Sequence, residues 1–205
     1  RPMRTNPAGN RSAALIAALL GLCAVLLAGC ATGDDAVVTG QGNQIVSPDG
    51  KTVIDYPIAD REPIGTLTGE ALLGGDDIDL DTMRGDVVVI NVWATWCPPC
   101  RKEFPILTKV YEQTRDQGVS FVGIAFRDNR SSAQDFVKDR KVPYPSIYDY
   151  GGRTLAVLDV PVGAVPTTVI LDRQLRPAKV FVKAVTEEEL SQAVQAVVAE
   201  DDPAK

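Results

Sequence analysis

The pair Cys97 and Cys100, two residues apart at the end of an apolar stretch, constrains this chain more than any other feature. Residues 87–92 read as a buried strand. Pro98, Pro99 and a polar–apolar mix over residues 101–111 read as the opening of a helix. A thiol at such a junction lies near the positive end of the helix dipole, which favours the thiolate. A second thiol one turn on can close a disulfide reversibly, so the spacing points to redox chemistry.

Other uses of the spacing fit less well. A structural zinc site takes four ligands, mostly Cys or His, and the chain has four cysteines and no histidine. Covalent haem attachment wants His after the second cysteine, where this chain has Arg101. A two-cysteine peroxidase would carry Thr three residues and Pro seven residues before its nucleophile; those positions hold Ala94 and Ile90. A purely structural disulfide remains open, although closing so short a loop removes little entropy from the unfolded chain.

Residues 1–29 read as a signal peptide. Arg1, Arg4 and Arg11 give a positive start, residues 13–27 form the apolar core, and Leu27-Ala28-Gly29-Cys30 resembles a bacterial lipobox. On that reading Cys23 is discarded and Cys30 is the lipidated residue, leaving Cys97 and Cys100 as the unmodified thiols. An uncleaved anchor helix is the alternative. Either version places the chain on the extracytoplasmic face of the cell membrane. A net charge of −6, from 21 basic and 27 acidic residues, argues against nucleic acid as a partner.

Residues 30–63 read as a lipidated tether carrying a small β-hairpin, with arms at 44–46 and 52–54 about a Pro48-Asp49-Gly50 turn. Residues 64–200 form the main domain, and 201–205 a tail. Within the domain, strands are expected at 78–80, 87–92, 119–126, 144–148, 167–171 and 179–185. Helices are expected at 98–117, kinked by Pro105; from Ser131 or Ser132 to 141; at 153–158; and after Thr186, which pairs with Glu189 in a capping-box pattern. The alternation indicates a three-layer α/β domain. The run Arg127-Asp128-Asn129-Arg130 reads as a solvated loop without a role.

Three motifs carry a family resemblance across roughly residues 64–200: Trp93-Ala94-Thr95-Trp96-Cys97-Pro98-Pro99-Cys100, then Lys102-Glu103-Phe104-Pro105, then Val165-Pro166-Thr167-Thr168. Together with the lipobox they resemble the membrane-tethered thiol–disulfide oxidoreductases of the TlpA/ResA/DsbE type. The resemblance implies a thioredoxin-like fold: a central mixed β-sheet, with a strand and helix inserted after the second core strand. It makes Cys97 the attacking thiolate and Cys100 the resolving thiol of a catalytic disulfide, and it makes the bond before Pro166 cis, opposite the cysteines. Trp96, Pro98, Pro99, Val165 and Pro166 would contact substrate, whereas Trp93 fits core and docking surface equally. Glu103 shares a helix face with Cys100 and would raise the thiol pKa values and exchange a proton with Cys100. Its alternative role is dipole compensation. Asn91 stands where many thioredoxins carry a buried Asp, and an amide cannot shuttle a proton.

The resemblance implies no cofactor and no metal. It implies protein disulfides as substrates, apocytochrome c cysteines first among them, and electrons from a membrane thiol transporter of the CcdA/DsbD type. Two other outcomes stay open: a disulfide oxidase or isomerase for secreted proteins, and a redox-sensing lipoprotein adaptor without turnover.

Overall fold

Strand β4 (Val87–Trp93) is buried along its whole length, which is why its sequence runs apolar instead of alternating. It is followed by α1 (Pro98–Thr114), β5 (Val119–Phe126), α2 (Arg130–Asp139) and β6 (Ser146–Asp149). The chain then forms β7 (Thr167–Leu171), β8 (Pro177–Phe181) and α3 (Glu187–Val198). Three short strands precede β4: β1 (Val53–Asp55), β2 (Thr68–Gly69) and β3 (Ile78–Asp79). The computed structural model describes residues 50–158 and 164–200.

Six strands form one mixed sheet in the order β1-β8-β7-β4-β5-β6, with β4, β5 and β6 parallel and the remaining pairs antiparallel. The steps β4–α1–β5 and β5–α2–β6 move the same way across the sheet. Right-handed crossovers therefore place both helices on one face. Packing agrees: Val87 and Val89 of β4 meet Leu107 and Val110 of α1 and Leu190 and Val194 of α3, while Trp93 meets Phe104 of α1 and Phe136 of α2. Val88, Ile90 and Val92 point to the opposite face. Among the described residues that face is covered by Ile64, Leu67, Leu155, Leu158 and Leu175, from turns and loops, and by Leu80, which opens a short 3-10 helix (Leu80–Met83). The fold is the expected thioredoxin-like α/β architecture about a central mixed sheet, and α2 with β6 is the inserted unit at the sheet edge. No helix among the described residues is long and apolar enough to cross a membrane.

Local outcomes differ in places. Residues 153–158 form turns, not a helix, and the Asp149 carboxylate accepts the Arg153 and Thr154 amides and the Thr154 hydroxyl where they begin. Helix α2 is capped by Asn129, not by a serine, because Asn129 Oδ1 accepts the Ser132 amide. It stops at Asp139, and Lys141 takes a left-handed φ of 51°. Helix α1 continues through Pro105 to Thr114. The Thr186–Glu189 capping box is formed as expected.

The second arm of the expected N-terminal hairpin is β1, which pairs with β8, Val53 opposite Phe181; the first arm, residues 44–46, lies outside the described residues. The segment assigned to the tether thus supplies an edge strand. It also supplies Arg61, which is buried, donates to the Tyr56 carbonyl and pairs with Asp172 and Glu200 at 3.3 and 2.6 Å. The folded unit therefore takes in residues ahead of position 64. Arg61→Ala should lower the unfolding free energy by about 2 kcal/mol in urea titration, less than the full cost of breaking a buried pair because Arg176 still holds Asp172. An unchanged midpoint would show that the pairing contributes nothing.

Candidate active site

Cys97 is the N-cap of α1, and Cys100 sits in its first turn. A disulfide joins their sulfurs, and Cys97 Sγ accepts the Cys100 amide at 3.2 Å. Pro98 and Pro99 occupy the first two helical positions. They suit a helix start, where an amide proton has no intrahelical partner, and they leave the Cys100 amide as the first donor able to reach the sulfur. Both cysteines are buried, whereas Trp96, Pro98 and Pro99 beside them are exposed, Trp96 at 55%. The dithiol is thus reached over one small surface.

The segment leading to Cys97 is held from three sides. Asp128, only 3% exposed, accepts both the amide and the hydroxyl of Thr95. Arg101 donates to the Thr95 carbonyl at 2.6 Å, and the Trp96 indole N–H donates to the Arg127 carbonyl at 2.9 Å. Tyr148 in turn donates to the Asp128 carbonyl. The reading of residues 127–130 as a solvated loop without a role is therefore corrected. Asp128 leaves β5 at the sheet end where β4 gives way to the cysteine loop, since Trp93 lies opposite Ala125. That register across parallel strands is the signal that would have found it.

The Val165–Pro166 peptide bond is cis. Antiparallel pairing of Val92 with Thr167 sets Pro166 at the same sheet end as Trp93 and the cysteine loop. Val165 packs against the cluster that contains Cys97, Cys100 and Phe104. The three separated motifs therefore meet in space. Cys30 lies outside the described residues.

Glu103, one turn beyond Cys100, is 1% exposed. Its Oε1 accepts from Asn91 Nδ2 at 2.6 Å and its Oε2 from the Val185 amide at 3.1 Å. Burial raises its pKa to about 7 against the opposing pull of the Val185 and Asn91 hydrogen bonds. Because the folded value lies above the ordinary 4.5, its contribution to stability is present in full below 4.5 and is lost as pH rises through 7. Burial, then the Glu103 charge, likewise push the Tyr144 hydroxyl upward. Trp93 is fully buried against Phe104 and Phe136, with ring centroids 4.9 and 5.2 Å away, and so belongs to the core. Among the described residues no group of three or more His, Cys, Asp or Glu is placed to hold a metal ion.

Residues 47–197 match the family model described as Redoxin. The thiol-disulfide oxidoreductase ResA of Bacillus subtilis (strain 168) is 32% identical over 113 residues, 55% of this chain and 62% of that protein, so the match spans less than two thirds of its length. A crystal structure of a DsbF homologue from Corynebacterium diphtheriae is 43% identical, with a TM-score of 0.69, covering 75% of this chain and 98% of that one. A secreted thiol-disulfide isomerase from Corynebacterium glutamicum is 40% identical, with a TM-score of 0.71, covering 78% and 100%.

Removing the Asp128 carboxylate should loosen the approach to Cys97 while leaving both cysteines in place. Asp128→Ala is expected to slow thiol exchange with a small aromatic disulfide by about tenfold, read by absorbance. A rate equal to that of the unaltered protein would mean that Thr95 is held well enough without it.

Proposed function

We propose that this chain, which belongs to the Redoxin family, works as a thiol–disulfide oxidoreductase of the ResA/DsbE type through Cys97 and Cys100. The observation that carries the reading is the disulfide at the helix start, with one sulfur capping the helix and the other buried behind it. In the reduced protein the Cys97 thiolate attacks one sulfur of a substrate disulfide, forming a mixed disulfide and releasing the other substrate sulfur as a thiolate. Cys100 then loses its proton to the Glu103 carboxylate and attacks Cys97 Sγ. The substrate leaves as a dithiol carrying two electrons, and the Cys97–Cys100 disulfide is restored. The cycle closes when an electron donor returns two electrons to that disulfide.

Trp96, Pro98 and Pro99 are assigned to the surface that meets the substrate, and Val165 and Pro166 to the backbone edge beside it. Exposure of the first three and the packing of Val165 on the cysteine cluster support this. The substrate class is protein disulfides, with apocytochrome c cysteines the leading example, and the donor is a CcdA/DsbD-like membrane transporter. The chain works at the extracytoplasmic face, tethered through lipid on Cys30. A signal-like segment ending in Leu27-Ala28-Gly29-Cys30 supports that placement.

A second reading, oxidase or isomerase, is favoured by the likeness to the secreted isomerase of Corynebacterium glutamicum over its whole length. Equilibrium with glutathione separates the two. A potential near that of thioredoxin, about −270 mV, supports a reductase, and one near that of DsbA, about −120 mV, supports an oxidase.

Cys100→Ala should accumulate a mixed disulfide through Cys97 that gel analysis resolves and dithiothreitol reverses, whereas Cys97→Ser should form none and show no turnover in insulin reduction. Full turnover by Cys97→Ser would refute the assignment. Absence of turnover in the unaltered protein would favour a redox-sensing adaptor instead.

A further inference from the structure

We propose that Asn91 is a positioning residue whose amide holds the Glu103 carboxyl and tunes its proton exchange with Cys100. The inference rests on the reading of Glu103 as the proton acceptor for the resolving thiol.

Asn91 sits in the middle of β4, on the face that Val87, Val89 and Trp93 turn toward the helices. It is 1% exposed. Its Nδ2 donates to Glu103 Oε1 at 2.6 Å and to Thr168 Oγ1 at 3.2 Å, so both amide protons are used. Its Oδ1 is buried without a hydrogen-bond partner. A carboxylate only accepts, so the ionised Glu103 must face the NH₂ end of the amide. A protonated carboxyl can donate, and Asn91 Oδ1 is an unmatched acceptor on the same side chain. A half-turn of the amide therefore serves the acid as well as the anion. A carboxylate at position 91 would instead hold a shared proton against Glu103, and a methyl group would offer no bond in either state.

The surroundings leave Asn91 in control. On its own helix Glu103 lies one turn from Cys100, and Tyr144, from the segment before β6, senses its charge. Strands β4 and β7 contribute the neutral Asn91 and Thr168. The approach to α3 contributes the Val185 amide, and the charges flanking it, Lys183 and Glu189, are paired with each other. Of the two hydrogen bonds that favour the anion, one comes from backbone and cannot be altered by a side-chain change. The other is Asn91. Thr168 lies two residues after Pro166, so the same amide ties the cysteine helix to the strand behind the cis-proline.

The test is the rate of insulin reduction by the reduced protein from about pH 5 to 9, for the unaltered chain, Glu103→Gln, Asn91→Ala and Asn91→Asp. The unaltered chain should show an inflection near 7, and Glu103→Gln should lack it. Asn91→Ala should move the inflection up by about one pH unit, the worth of one hydrogen bond to a charged group. Asn91→Asp, nearly isosteric and informative even if the alanine variant fails to fold, should move it further up, because two carboxyls would share one proton. If Glu103→Gln abolishes the inflection but either Asn91 variant that folds leaves it in place or lowers it, the Asn91 proposal fails and the Glu103 reading stands. An inflection that survives in Glu103→Gln overturns the Glu103 reading itself.

Discussion

The hydrogen bond from the Cys100 amide to Cys97 Sγ, at the first turn of α1, is the contact around which the site is organised. Two prolines strip the first helical positions of donors, so the helix start offers the sulfur one amide and the dipole of a 17-residue helix. In the proposed cycle this setting suits a sulfur that must attack, be held covalently and be released. Everything else near the cysteines restrains geometry. Asp128 and Arg101 grip Thr95, the sheet register brings Pro166 alongside, and Phe104 packs the helix against Trp93.

Burial underlies the second half of the proposed chemistry. Among the described residues the Glu103 carboxylate has no cation beside it, only an amide and a backbone N–H, so removal from water dominates and raises its pKa to about 7. The same desolvation that suits it to the proposed proton exchange costs stability as pH rises, whereas a salt bridge would offset that cost and lower the pKa. The arrangement is a case of a locally unfavourable group retained inside an otherwise apolar cluster, as functional sites commonly show.

Much of this was readable in the chain because it is written in local signals. The continuous apolar run of β4, the proline-marked helix start and the Thr186–Glu189 box are each decided by neighbours within a few residues. What escaped depends on contacts between distant segments. Strand β1 pairs with β8, about 125 residues away; Arg61 is buried only because Asp172 and Glu200 meet it. Asp128 sits in a charged run that looks solvated until β5 is laid beside β4 in register. The helix expected at 153–158 is instead a run of turns, at whose start the Asp149 carboxylate accepts two amides.

The central claim is that the two sulfurs are unequal, Cys97 being the one poised to react. Alkylation of the reduced protein with limiting iodoacetamide across a pH series, with the modified residue mapped by mass spectrometry, tests this most directly. The account predicts modification of Cys97 first, with an apparent pKa below the ordinary thiol value of about 8.5, and Cys100 protected until the protein is unfolded. Equal labelling of both, or labelling of Cys100 first, would contradict it.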